Sequence, residues 1–317
     1  MKNFNRRFVS GALNHCYQRT VNGFLLFYNV SDCLVLFTII CTCAKRYHVD
    51  ILALSFMPDH IHGSYVAVSP QDLSGFVGDY TSKYARAFNE EFLRKGPLFD
   101  GPFGSAPKTT DKAERTNLIY VYNNPVERRI VRQAENYKWN FLAYMAKRNP
   151  FSEPIVKRKA SGNLKRALAM VDRMHAVNRP LTYKLLKLLF SRLAKQERDQ
   201  LTDYIVSTYS EIDYQAVLQC FGNYENLLTA VHSTTGSEYD IHEEYTGYSD
   251  SWYSMMTSIV LSTGRFKDIH EVISLPVEKK KELLTLLRVK TNATSRQIEK
   301  YLHLIPEAPR QKPKDIA

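Results

Sequence analysis

Two short strings in this sequence carry side chains whose types and spacing suit metal binding and nucleophilic chemistry. The first is His60-Ile61-His62, the one tight pair among nine histidines. On a β-strand, positions i and i+2 share a face, so both imidazoles project side by side while Ile61 enters the opposite layer. Two imidazoles can hold a divalent cation, though a useful site needs a third ligand and open positions for substrate. The second string is Tyr120-Val121-Tyr122-Asn123-Asn124-Pro125. On a helix, Tyr120 and Asn124 share a face with Cβ atoms about 6 Å apart and offer a phenol and an amide oxygen together. The phenol can act as a nucleophile that forms a covalent intermediate, and the amide oxygen can be a neutral metal ligand. Plainer readings stand beside these. His-x-His pairs arise by chance on strands, Tyr120 can be a core aromatic, and Asn124 can be a C-cap before proline. Tyr80, Tyr84 and Tyr122 are rival nucleophiles. The first two belong to the apolar stripe of a long helix, and Tyr122 lies about 200° round its helix from Tyr120.

The elements that must position these groups are written in the hydrophobic pattern. Residues 48–56 (HVDILALSF) form a β run, Met57-Pro58-Asp59 a turn and residues 60–68 a second run, which puts the histidine pair on the second arm of a hairpin. Upstream, residues 12–28 read as two short strands turning at Val21-Asn22-Gly23. Ser31 and Asp32 offer N-caps for an apolar helix reaching about Arg46. Ser69-Pro70 opens a long helix with Leu73, Phe76, Val77, Tyr80, Tyr84, Phe88 and Phe92 at spacings of three and four, ending at Gly96. The Gly/Pro-rich piece that follows holds one edge strand. Thr110 or Asp111 then caps a helix to Asn124, where Pro125 terminates or restarts it. The order β-β-α-β-β-α-β-α predicts an α+β fold, a ferredoxin-like antiparallel sheet with helices on one face. From about residue 150 strand signals fade and a helical period continues to Tyr301. We therefore expect an α+β domain over 1–149, which carries both candidate strings, and an all-helical C-terminal domain over 150–317.

With 317 residues, 44% of them apolar and 24% charged, the chain is a globular protein and neither a disordered nor a low-complexity one. Its net charge of +11 favours an anionic partner such as nucleic acid. The excess is larger in residues 1–150, with 19 basic and 12 acidic side chains, than in the remainder. The longest apolar stretch, residues 33–44, falls short of the roughly 20 needed to cross a membrane and reads as a buried helix. The opening MKNFNRR shows no secretion signal, so the expected compartment is the cytoplasm. The five cysteines lack Cys-x-x-Cys spacing and read as core residues. Lys157-Arg158-Lys159 is either a solvated linker or a phosphate-contacting segment. Residues 279–303 can form a helix-turn-helix with Arg296, Gln297 and Lys300 near the start of its recognition helix, or two ordinary bundle helices. Glu238, Asp240, His242, Glu243 and Glu244 make an acidic cluster whose spacing matches no metal loop and reads as solvated.

Taken together, Ala53-Leu54-Ser55-Phe56-Met57-Pro58-Asp59-His60-Ile61-His62, a long helix, Gly96-Pro97-Leu98-Phe99-Asp100-Gly101-Pro102-Phe103, and Tyr120-Val121-Tyr122-Asn123-Asn124-Pro125-Val126 resemble the HUH single-tyrosine transposases, and within them the REP-associated tyrosine transposases. The resemblance covers roughly residues 10–145. It implies that His60 and His62 bind Mg²⁺ or Mn²⁺, that Asn124 completes the metal site, and that Tyr120 attacks single-stranded DNA bearing a hairpin to give a 5′-phosphotyrosine. Two imidazoles suit Mn²⁺ better than Mg²⁺. Where the family often has tryptophan and arginine, this chain has Phe99 and Pro102, and Tyr122 and Asn123 stand where histidine or leucine is common. Those departures bear on which DNA structure is gripped. A non-catalytic nucleic-acid-binding protein and a phosphodiesterase that uses water are the alternatives. Exposed aromatics such as Tyr17 or Phe103 could stack unpaired bases.

Overall fold

The computed structural model describes residues 7–233 and 249–305, so the acidic cluster at 238–244 lies outside the described residues. The N-terminal part runs β1 (Leu13–Arg19), α1 (Val30–Tyr47), β2 (Asp50–Met57), β3 (His60–Val66), α2 (Pro70–Glu91), β4 (Gly104–Lys108) and α3 (Asp111–Glu127). The four strands form one sheet in the order β2-β3-β1-β4, with every pair antiparallel. The strand order is the expected ferredoxin-like one, but helices cover both faces of the sheet and not one, because α3 also presents an apolar side that the sheet buries. Helices α1 and α2 cover the face that receives Cys16, Leu54, Phe56, Ile61 and Tyr65. Helix α3 lies on the other face, against Leu13, Leu52 and Ala53.

Four local expectations give way. Residues 12–28 hold one strand, not two, because β1 is central and both its edges are occupied by β3 and β4. The segment that follows instead spends its amides on distant carbonyls, Leu25 N–H on Lys300 O and Leu26 N–H on Pro58 O. The cap of α1 is Asn29, and Asp32 closes a capping box from the third helical position. Helix α2 stops at Glu91, where Leu93 takes a left-handed conformation with φ of 52°, before Gly96 is reached. Helix α3 begins at its Thr110 cap and passes through Pro125 to Glu127, although proline removes one amide donor from the ladder.

The middle of α1 is enclosed on every side. Every residue from Asp32 to Ala44 is buried. A helix apolar all round needs cover on all sides, and here α2 covers one side while the C-terminal region supplies the other. That region contains α4 (Gly162–Ala176), α5 (Tyr183–Phe190), α6 (Lys195–Tyr209), α7 (Tyr214–Phe221), α8 (Tyr224–Ser233), α9 (Trp252–Ser262), α10 (Glu271–Ser274), α11 (Val277–Lys290) and α12 (Ser295–Tyr301). Helices α5 and α6 pack on α1, and one apolar core runs from Cys16 to Leu302. The cysteines are free thiols, four of them buried. No helix among the described residues is long and apolar enough to cross a membrane.

A buried ion pair fastens the far end of the chain to α1. Asp32 accepts from the Tyr28 and Asn29 amides and, at 2.9 Å, from Nε2 of His270, whose Nδ1 meets Asp268 at 2.7 Å. Burial disfavours the His270 imidazolium, yet Asp32 and Asp268 outweigh it and raise the group to about 9. Its folded value is raised, so its contribution is complete below the ordinary value near 6.5 and is lost as pH rises through 9. We expect the stability advantage of the wild type over His270→Asn to shrink by about 3 kcal/mol between those limits, measured by urea unfolding at each pH. An advantage independent of pH would contradict the pairing.

Candidate active site

The β2–β3 turn is two residues, Pro58 and Asp59, and it leaves His60 and His62 on the α3 side of β3. Ile61 enters the opposite core, as period-two alternation requires. Both imidazoles are buried, His60 to 2% exposure and His62 to 0%. Tyr120 and Asn124, one turn apart on α3, come down on them. The Tyr120 ring stands edge-on to His62 with centroids 5.4 Å apart, and the Asn124 amide nitrogen lies 3.2 Å from His62 Nε2. The structure thus brings together all four residues of the predicted constellation. Of the rivals, Tyr80 and Tyr84 are core residues beneath the other face. Tyr122 donates to Leu52 O at 3.1 Å, turned away from the histidines.

His62 Nε2 faces the Asn124 amide nitrogen at 3.2 Å and its Nδ1 faces His15 Nε2 at 2.9 Å; with the amide donating, the His62 proton sits on Nδ1 and is given to His15. His60 Nδ1 lies 2.6 Å from Asp59 Oδ1 and donates to that carboxylate. In both rings Nδ1 is engaged, so a cation at this point would be held through Nε2. Asn124 Oδ1 is buried without a hydrogen-bond partner. A half-turn of that amide exchanges its nitrogen for its oxygen and directs the oxygen to the same side as His62 Nε2. Two imidazole nitrogens and one amide oxygen therefore fit a divalent ion. Among the described residues, no group of three or more His, Cys, Asp or Glu side chains is poised to hold a metal; the set found here depends on an amide.

A cleft of about 520 Å³ opens at the His60 edge. Arg19, Asn22, Asp59, Arg128, Asp250, Arg296 and Lys300 are among its lining residues. Tyr120, at 3% exposure, is buried and does not line this cleft. Asp250 is pushed up to about 6, by burial first and by the neighbouring Asp59 charge second. Asp59 responds oppositely: burial works to raise its carboxyl, but the His60 hydrogen bond and the Lys300 ammonium hold it well below the usual range.

The residues expected to touch DNA are scattered. Lys157, Arg158 and Lys159 form an exposed turn; Lys157 lines a groove with α4 and α6 that includes no member of the histidine site. Helices α11 and α12 form as expected, and Thr294 and Gln297 make the capping box. Helix α12 is docked on the sheet region. Its Gln297 amide donates to Ser249 O, Lys300 pairs with Asp59, and Arg296 donates to Asn22 O while remaining exposed. Tyr17 is 38% exposed beside His15, whereas Phe103 is buried at 9%. Phe103 therefore does not serve as an exposed stacking surface.

Sequence reasoning missed His15, Asp59 and Asp250. Asp59 abuts the motif and could have been weighed as a partner for His60. His15 depends on β1 lying beside β3, a long-range register with no local signal.

Residues 27–122 match the family described as "Transposase IS200 like", a span that contains His60, His62 and Tyr120 and stops two residues short of Asn124. The resemblance drawn from the motifs is borne out over that segment. A solved structure of a REP-associated tyrosine transposase bound to a REP hairpin aligns at 16% identity and a TM-score of 0.41, covering 46% of this chain and 86% of that one. No curated protein matches the chain.

If the two imidazoles and the amide bind a cation, MnCl₂ at a hundred times its dissociation constant should stabilise the fold by about 2.7 kcal/mol. The expected rise in melting temperature should vanish in His62→Ala. An equal rise in both proteins would place the ion elsewhere.

Proposed function

We propose that this chain, IS200-like over residues 27–122, cuts and rejoins single-stranded DNA through a covalent link to Tyr120. Residues 1–149 would be the catalytic unit and 150–317 a helical unit that helps to hold the DNA. The observation that carries the reading is the meeting of a phenol, a carboxamide and two imidazoles from β3 and α3 at one buried point.

The phenol oxygen attacks the scissile phosphorus in line. A bond from Tyr120 to phosphorus forms as the bond to the 3′ oxygen breaks, and that oxygen takes up a proton. The protein keeps a 5′-phosphotyrosine, and a second 3′-hydroxyl can attack the same phosphorus, release Tyr120 and join strands without ATP. Because a free phenol has a pKa near 10, its proton must be removed as the attack proceeds. Bound by His60, His62 and Asn124, a Mg²⁺ or Mn²⁺ ion would offset charge on the phosphate oxygens and orient the phosphorus. Asp59 and His15 keep the two rings in the tautomers that expose Nε2.

Hairpin-bearing single strands are the substrate class that the family resemblance implies. The net charge of +11 supports salt-dependent affinity for phosphates. Arg296, with Gln297 and Lys300 beside it, lines the cleft at His60, and Tyr17 offers an exposed ring for an unpaired base. Lys157, Arg158 and Lys159 form a second, separate basic surface for a longer duplex.

With a labelled hairpin-bearing strand and Mn²⁺, a denaturing gel should show a covalent protein–DNA band. That band should be absent in Tyr120→Phe and retained in Tyr84→Phe. Cleavage without any adduct would point to water as the nucleophile, and binding without cleavage to a module that performs no chemistry.

A further inference from the structure

Lys300 lies 241 residues beyond Asp59, yet its Nζ meets Asp59 Oδ2 at 2.6 Å while Oδ1 of the same carboxylate holds His60 Nδ1 at 2.6 Å. Both members of the pair are largely withdrawn from water, at 25% and 13% side-chain exposure. The approach is built into the backbone. Gly23 has a φ of +63°, and a Cβ there would lie 2.9 Å from the Lys300 Cε, so the lysine stem occupies space that a side chain at position 23 would fill. The same stretch anchors both partners: Thr20 N–H donates to Asp59 O, and Leu25 N–H donates to Lys300 O. A second link reaches the helix that carries Tyr120. Gln297 donates to Ser249 O, the Ser249 hydroxyl donates to Arg129 O, and Asp250 N–H donates to Arg128 O just past the end of α3.

We infer that Lys300 is a positioning residue for the cation site: through Asp59 it fixes the His60 ring, so that helix α12 of the C-terminal region completes a site whose ligands all lie in the first 124 residues. This rests on the reading of His60, His62 and Asn124 as cation ligands. A carboxylate bound on one oxygen by an ammonium cannot swing away from the imidazole that it orients with the other. Losing a group that orients a metal-bound histidine commonly weakens metal affinity about 10- to 100-fold. Lys300 acts one step further out, and its effect should be smaller.

The test measures Mn²⁺ binding to the full chain by electron paramagnetic resonance, without DNA, alongside the melting temperature. Lys300→Met keeps a stem of similar length beside Gly23 and removes the charge. It should weaken Mn²⁺ binding about three- to tenfold, and Asp59→Asn about 10- to 100-fold. The double variant should bind no more weakly than Asp59→Asn, because the lysine acts through that carboxylate. Lys300→Gln, neutral but still able to donate one hydrogen bond, should fall between wild type and Lys300→Met and keeps the comparison open if the methionine variant does not fold. Wild-type affinity in Lys300→Met, or a loss that persists undiminished in the Asp59→Asn background, overturns the inference. If the wild type and His60→Ala take up Mn²⁺ equally, the cation reading itself falls, a result distinct from either of those.

Discussion

The Nδ1 atoms of His60 and His62 are each engaged by another side chain, Asp59 for the first and His15 for the second, and this engagement decides which nitrogen faces α3. An imidazole ligates a cation through an unprotonated nitrogen, so a ring free to exchange tautomers would offer the wrong face part of the time. With both Nδ1 atoms occupied, a cation bound as proposed would be held on the Nε2 side. The Asn124 amide donates to that side of His62 and keeps its own oxygen buried and unmatched. Unmatched buried acceptors are costly, and a cation shared with the imidazoles would relieve this one.

The fold is arranged around that requirement. Strand alternation sends Ile61 into the core under α1 and α2 and turns the histidines towards α3. The central place of β1 brings His15 beside β3, and the register of the two strands sets His15 opposite Ser64, within reach of His62. Helix α3 delivers Tyr120 and Asn124 from one face and uses Tyr122 to grip β2 with another. The apolar α1 forms the hub between the sheet and the C-terminal helices, which in turn bring α12 to the turn before His60.

Much of this was legible in the residues themselves. The hairpin, the long amphipathic helix and the shared face of Tyr120 and Asn124 follow from local periodicity, which is what a sequence displays most directly. The errors came where distant partners outweighed local preference. Residues 24–28 look like a strand, yet β1 has no free edge to pair with them. Pro125 looks like a stop, yet α3 continues to Glu127. Asp32 looks like a cap, yet Asn29 takes that place and Asp32 binds His270, 238 residues later. For the same reason His15 and Lys300 went unrecognised as neighbours of the histidine pair, since their approach depends on strand order and helix docking.

The measurement that bears most directly on the central claim is anomalous diffraction from crystals of the wild-type protein soaked in MnCl₂. The account predicts a manganese peak in contact with His60 Nε2, His62 Nε2 and Asn124 Oδ1, with the asparagine amide turned so that its oxygen faces the ion. Manganese bound elsewhere, or density showing these three side chains bonded only to one another at saturating metal, would contradict it.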